Sequence, residues 1–390
     1  MVIGNSAGNI RKDFNLVVYS PAVKSDNPEL KQARAFGIKT KTYPEALGDL
    51  TKNYYTIAVA GAHGKSTTTA MLGILMQNAG LDPTVVVGTK VKEFGGSNFR
   101  AGKSKFLVVE ACEYDSSFLH YSPKITVVTN VDKEHLDYFK NFTNVRKAFK
   151  DFIARLPAGG FLVFNKDDKF IPKINEPKFK AYSYFIKQKE ALKLGKILKV
   201  PGQHNVSNAL ATLAAARILG VPDKISFKAL SEFKGTWRRF EERDLKRTLR
   251  GAGNKNLKLK IISDYGHHPN EISATLKATR EKYPHKKIWC VFQPHQHQRT
   301  YYLFGDFVKV FRKAPIDNII ITDIYDVAGR ETKKINAEVS AEQLVKKINK
   351  KNVLYFPLCD IEKYIKENIG SDQVLVIMGA GNIYKLADRF

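Results

Sequence analysis

A chain of 390 residues is too long for one ordinary domain, so two or three are expected, each able to bury its own core. The formal net charge of +26, with a pI near 9.7, would suit a nucleic-acid binder, but the lysines are spread over nearly every segment instead of forming one stripe with interleaved aromatics, so solvated lysine-rich faces and no nucleic-acid partner are expected, affinity for anionic substrates such as nucleotides being compatible with either reading. Cys112, Cys290 and Cys359 share no close spacing, which speaks against a zinc or disulfide framework; with neither a secretory leader nor an apolar run near the ~18 residues of a membrane helix, a cytoplasmic protein without membrane insertion is expected.

The first 52 residues hold a strand, Leu16 to Val23, a short helix pattern in NPELKQARAFG, a second extended piece in IKTKTYP and a helix in EALGDL. This alternation reads as the closing half of a small α/β domain. The opening MVIGNSAGNI contains glycines but no preceding strand, so it is not read as a dinucleotide-binding turn.

From Thr56 to Met71 the chain reads TIAVAGAHGKSTTTAM: a strand, a turn carrying Gly61 and Gly64, then Lys65, Ser66 and threonines ahead of an apolar helix. That is the layout of a phosphate-binding loop. Glycines let backbone N–H groups curl toward phosphate oxygens, the helix start adds its positive dipole end, Lys65 supplies a charge and Ser66 a hydroxyl suited to Mg²⁺. The loop is the short form GxxGKS, with His63 inside it, because Val59 stands where GxxxxGK[ST] needs a glycine. A bare GKS also fits a plain helix N-cap; the flanking strand and helix favour phosphate.

Two further buried strands follow, Phe106 to Val109 ending in Glu110, and ITVV ahead of Asp132, Glu134, His135 and Asp137. Ligands of open α/β sheets gather at the carboxyl ends of strands, so Lys65, Glu110 and His135 are expected in one crevice, with Ser66, Glu110 and His135 forming a plausible Mg²⁺ environment. A helix over Thr143 to Leu156 and a strand GGFLVFN come next. Lys166 to Lys199, lysine-rich and poorly periodic, reads as loop or edge structure. Asn205 and Asn208 then share one face at the start of an alanine-rich helix; N-capping explains one of them but not both. Of the adjacent Arg238 and Arg239, one alone is expected to be functional.

The third region, from about Leu245, repeats strand and helix units. LKIISDYGHHP ends in Asp264, His267 and His268, and a helix opens at Asn270 with Glu271 in its first turn. IWCVFQPHQHQRT is a strand followed by His295, His297 and Arg299, NIIITDIYDVAGRE one ending at Asp323 and Asp326, and QVLVIMGAGN a strand with a tight turn at Gly379 and Gly381 near a ligand. The histidines lack the spacing of a known metal motif.

Eight stretches, AGAHGKSTTTAM, EACEYDSSFLH, TNVDKEHLD, PGQHNVSNA, GTWRRF, DYGHHP, FQPHQHQRT and MGAGNI, resemble in order the motifs of the Mur ligases, collinearly from about Leu16 to the C-terminus. DYGHHP with FQPH is more similar to the alanine-adding branch than to murein-tripeptide recycling ligases or folylpolyglutamate synthetases. The resemblance implies an α/β fold of three domains: an incomplete N-terminal domain over 1–52, a central P-loop domain with a parallel sheet over 53–236 and a Rossmann-like C-terminal domain over 237–390. It implies an ATP-dependent ligase, monomer or homodimer, that joins L-alanine to UDP-N-acetylmuramate through an acyl phosphate in peptidoglycan precursor synthesis; a relative for another amino acid or peptide, or an inactive ATP-binding fragment, is the alternative.

By motif position the resemblance implies that Gly61, Ala62, His63, Gly64, Lys65, Ser66 and Thr67 bind the ATP phosphates, with Ser66, Glu110 and His135 on Mg²⁺. Asn205 and Asn208 would meet the adenine, Arg239 the phosphates and Asp264 the ribose, while His267, His268 and Arg299 would lie near the amino acid and the acyl phosphate. Cys112, Glu134 and Gln296 depart from the family pattern, each standing where the family has Asp, Asp and Arg respectively, and the stretch between Phe164 and Pro201 is short. A strand and GIGGxGM turn for the UDP group are also missing: the residues before Leu16 are fewer than the about thirty of a βαβ unit, so either a truncated N-terminus or a different hold on UDP is expected.

Overall fold

The computed structural model describes residues 4–171, 178–249, 255–327 and 337–390. Residues 1–3, 172–177 and 328–331, which belong to stretches read above, lie outside the described residues.

The N-terminal segment contains β1 (Leu16–Tyr19), α1 (Pro28–Ala35), β2 (Lys39–Thr42) and α2 (Tyr43–Lys52). The strands pair in parallel, Leu16 opposite Lys39. The strand expected to reach Val23 stops at Tyr19 because Pro21 has no N–H to donate and Val23 N turns back to Ser20 O at 2.9 Å. Asn27 caps α1, and Thr42 with Glu45 forms a capping box on α2.

The central unit runs β3 (Tyr55–Ala60), α3 (Lys65–Asn78), β4 (Thr84–Val91), β5 (Ser97–Arg100), β6 (Phe106–Glu110), β7 (Ile125–Val128), α4 (Leu136–Phe139), α5 (Phe142–Ile153), β8 (Phe161–Asn165), β9 (Lys180–Tyr184), α6 (Lys189–Ile197), α7 (Gln203–Ile218) and α8 (Asp223–Glu232). Its sheet has the order β5-β4-β6-β3-β7-β8-β9, parallel except for the β4–β5 pair. Because successive side chains of β3 point to opposite faces, Ile57 and Val59 join the core under α3 and α7, whereas Ala58 and Ala60 join the core under α5. The strand that feeds the phosphate loop therefore lies in the middle of the sheet, with β6 and β7 as its two neighbours. Lys166 to Lys199 is more ordered than a loop: β9 pairs with β8, Phe161 opposite Lys180, and α6 buries Ala191 and Leu194. With two buried residues in a nine-residue helix, α6 leaves a faint periodicity.

The third unit starts at Glu241, ahead of the expected Leu245, with an antiparallel hairpin of β10 (Glu241–Leu249) and β11 (Lys255–Asp264). It continues through α9 (Pro269–Lys282), β12 (Ile288–Phe292), β13 (Asn318–Ile321), β14 (Val353–Tyr355) and β15 (Gln373–Met378) in the order β10-β11-β15-β12-β13-β14. Helices fill both faces and give two separate cores. After the turn that follows β15, a 3₁₀ helix, Asn382–Asp388, closes the unit. Among the described residues, no helix is long and apolar enough to cross a membrane.

Candidate active site

The loop after β3 is shaped by two glycines and zipped to the end of β7. Gly61 has φ +139° and a Cβ there would strike Thr129 Oγ1; Gly64, at φ +84°, would strike Asn208 Oδ1. Thr129 Oγ1 and Asn130 Nδ2 donate to His63 O at 2.6 and 3.0 Å, while Ala62 N donates to Asn130 O and His63 N to Asn130 Oδ1. No side chain caps α3, so its first amides remain for an anion.

Lys65 folds back over this curl, donating to Gly61 O and Ala62 O and lying 2.9 Å from Glu113 Oε2. Burial opposes its charge, but the carboxylate of the fully buried Glu113 outweighs that and holds its pKa above that of free lysine. Glu113 also faces His135 Nε2 at 3.9 Å. Burial keeps that imidazole below its ordinary pKa and so neutral, which leaves it a lone pair. Glu110, at the end of β6, accepts from Ser66 Oγ at 2.9 Å and from Gly88 N at 2.5 Å. Thus Ser66 and Glu110 meet directly, whereas His135 reaches the same loop through Glu113 and Lys65. One hydroxyl, one carboxylate and a neutral imidazole suit a hard cation that keeps much of its shell as water and phosphate oxygen.

Beside the loop, a cavity of about 230 Å³ lies between the central and third units and is lined in part by Gly64, Thr67, Asn205, Asn208, Arg239 and Asp264. The asparagines do not cap α7: Asn205 donates to Pro201 O, and Asn208 to Asn205 Oδ1. Asp264 accepts from Phe240 N and Gly266 N at 2.8 Å, and burial raises its pKa. The two arginines point to different surroundings. Arg239 faces the cavity, while Arg238 is 3% exposed, lies among the rings of Trp237, Tyr265 and Tyr384, and donates to Gly379 O and Gly381 O. Arg238 therefore holds the turn after β15.

On the other side of the loop, Glu134 gathers the remaining expected residues. Its Oε2 lies 3.2 Å from Arg299 Nη2 and its Oε1 3.9 Å from His267 Nε2. Burial works against the Glu134 charge, yet Arg299 and the histidines hold its pKa well below the carboxylate range. Burial pushes His267 down to about 4, so it is neutral. His295 stacks on Tyr325 and its Nδ1 lies 3.2 Å from Arg299 Nη1. Gln296, buried at φ +71°, starts the helix that carries Arg299.

His63, Glu134 and His268 bring ligand-type atoms within 4.8 Å of one another. Both nitrogens of His63 already face carboxylates, Nε2 toward Asp132 at 3.0 Å and Nδ1 toward Glu271 at 3.3 Å, and Glu134 is paired with Arg299. The His63 and Glu134 members of this group are thus ion-paired, while the buried Nε2 of His268 makes no hydrogen bond. Sequence reasoning missed Glu113 and Glu271. The first stands three residues after Glu110 in EACE, and the second was visible as a helix-start acid. A second cavity, about 790 Å³, runs from Ser20, Pro21 and Tyr43 of the N-terminal segment to Glu110, Cys112 and Tyr121.

Family models match three successive stretches: "Mur ligase family, catalytic domain" over 1–55, "Mur ligase middle domain" over 59–216 and "Mur ligase, glutamate ligase domain" over 249–381. The chain is 39% identical to the UDP-N-acetylmuramate--L-alanine ligase of Acetivibrio thermocellus across 99% of its own length and 85% of the relative's. It is 42% identical to the same-named ligase of Caldanaerobacter subterraneus across 96% of itself and 84% of that protein. The crystal structure of UDP-N-acetylmuramate-alanine ligase from Thermotoga maritima superposes with a TM-score of 0.76 at 26% identity, covering 100% of this chain and 86% of that one.

Proposed function

The chain belongs to the Mur ligase family, and from that premise we propose that it joins L-alanine to UDP-N-acetylmuramate with ATP as phosphoryl donor, a step of peptidoglycan precursor synthesis. The observation that carries the reading is a phosphate loop that lines one cavity together with Asn205, Asn208, Arg239 and Asp264 and is joined, through the Ser66–Glu110 hydrogen bond, to the end of another. The first suits ATP and the second the sugar nucleotide. The division of labour follows the segments 1–52, 53–236 and 237–390, which hold the sugar nucleotide, ATP and the amino acid.

A carboxylate acylates poorly because its leaving group is an oxide. Phosphorylation replaces that with phosphate, and the protein's task is positioning and charge neutralisation. The muramate carboxylate oxygen attacks the γ-phosphorus and ADP leaves. The alanine amine then attacks the acyl carbon, the carbon–oxygen bond breaks, and phosphate departs as the amine loses its proton.

Lys65 leaves the carbonyls of Gly61 and Ala62 for the β- and γ-phosphate oxygens, with its charge secured by Glu113. Arg239 adds a second cation, the amides of Asn205 and Asn208 meet the adenine edge, and Asp264 faces the ribose. Ser66, Glu110 and His135 would hold Mg²⁺, which would supply charge neutralisation at the transferred phosphoryl group. Arg299 neutralises the alanine carboxylate, and the neutral His267 accepts a hydrogen bond from the incoming amine. ATP and sugar nucleotides meet in the cytoplasm, where the protein would act.

Phosphate release from the purified chain tests this reading. It should require ATP, Mg²⁺, UDP-N-acetylmuramate and L-alanine together. Equal release with glycine, L-serine or no amino acid would count against it.

A further inference from the structure

Glu271 touches more of the site than any other residue missed by the sequence. It is the third residue of α9, and its two oxygens divide their work. Oε2 accepts from His267 N at 3.1 Å and His268 N at 3.3 Å, closing the capping box that starts the helix. Oε1 takes no part in the cap: it lies 3.3 Å from His63 Nδ1 and 3.6 Å from Arg239 Nη1. His63 belongs to the phosphate loop of the central unit, and Arg239 lies in the link between α8 and β10, just ahead of the third. One carboxylate oxygen therefore joins the two units at the rim of the 230 Å³ cavity that both line. Its neighbour Asn270 repeats the tie, donating to Asp132 Oδ2 at 2.5 Å.

A helix cap needs one oxygen. Long charged side chains beside an empty pocket sample many rotamers, and a ligand must order them when it binds. A carboxylate between two such cations fixes both beforehand, and the cations screen its own charge from the ligand's phosphates. The other titratable groups around His63 are the carboxylates of Asp132 and Glu134, from the segment after β7, and the imidazole of His268 at the start of α9, whose ring centroid lies 4.7 Å from that of His63 and whose charge burial disfavours. Asp132 and Glu134 belong to the same unit as the loop and His268 offers a ring contact, so among these groups Glu271 is the one whose hydrogen bond ties His63 across the interface.

We propose that Glu271 is a positioning residue for the nucleotide: its Oε1 holds His63 and Arg239 at the mouth of the pocket and keeps the phosphate loop registered against the third unit. The proposal rests on the reading of that pocket as the ATP site.

Glu271→Gln tests it on the full chain, because the amide oxygen can still cap α9 while the charge facing His63 and Arg239 is gone. The probes are ATP titrated calorimetrically and thermal unfolding, with His63→Gln and the double variant alongside. The expected result is an ATP Kd weakened by about tenfold in Glu271→Gln, measured well below its melting temperature where the variant is folded, and little further weakening when the same change is made in His63→Gln, since coupled residues are non-additive. An unchanged or tighter Kd, full additivity in the double variant, or weakening that merely tracks a lost melting temperature would each overturn it. If the wild-type chain takes up no ATP, the reading of the pocket fails as well, an outcome distinct from a wild type that binds and a variant that matches it.

Discussion

Lys65 and Glu113 form a buried ion pair, Nζ to Oε2 2.9 Å, closed over the curl of the phosphate loop. The same Lys65 ammonium spans the carbonyls of Gly61 and Ala62, so the lysine occupies the inside of its own loop. Glu113 is the group that keeps it charged there, and His135 shares that carboxylate. Charge is thus stored at the loop before any phosphate arrives.

Glu113→Gln leaves a buried ammonium without its counter-ion. Breaking a buried pair from one side costs about 3–5 kcal/mol, so the urea midpoint should fall accordingly. An unchanged midpoint would mean that water already solvates Lys65.

Arg238 and Arg239 should separate in their effects although they are neighbours in sequence. Arg238→Ala removes charged hydrogen bonds to Gly379 O and Gly381 O, each worth roughly 1.5–3 kcal/mol, and should lower stability strongly. Arg239→Ala should leave the melting temperature close to wild type and raise the KM for ATP about tenfold or more. The reverse pattern would exchange their roles.

Much of this site was legible because its chemistry sits where elements change. A strand running into GAHGKS, Glu110 at the end of another strand, and two asparagines three apart on one helix announce themselves from spacing. Glu113 and Glu271 were not legible, since an acid in a turn or a helix's first turn resembles a solvated one until folding places Lys65 or His63 against it. Nor was α6, whose two buried residues are too few to stand out among lysines. The strand β10 escaped because charged residues fill it, although the end of its partner β11 was read as a strand.

Stability should depend on pH through His63. Burial opposes its charge, but hydrogen bonds to Asp132 and Glu271 more than restore it and raise its pKa to about 10. A folded pKa above the unfolded value of about 6.5 means a contribution fully present below about pH 6.5 and lost as the pH rises through about 10. Asp132 behaves oppositely: its pKa is lowered to about 2, so its contribution is present above about pH 3.9 and lost as the pH falls through about 2. Urea denaturation between pH 7 and 10 should show a decline that shrinks in His63→Gln. Equal declines in both proteins would show that His63 is not the group responsible.

Gly61→Ala places a methyl group against Thr129 Oγ1 at φ +139°. Strain of about 1–3 kcal/mol is expected, released by opening the zipper between His63 and Asn130. Weaker protection of these amides in hydrogen exchange, together with lost phosphate release, is the expected outcome. Native protection would show that the loop absorbs the methyl group.

The central claim is that the muramate carboxylate is activated as an acyl phosphate. The most direct measurement uses UDP-N-acetylmuramate with an ¹⁸O-labelled carboxylate, ATP and L-alanine, followed by mass analysis of the phosphate released. Attack of the carboxylate oxygen on the γ-phosphorus, then of the amine on the acyl carbon, predicts one ¹⁸O atom in each phosphate formed. Unlabelled phosphate released alongside the amide product, with the displaced ¹⁸O found in water instead, would contradict the account.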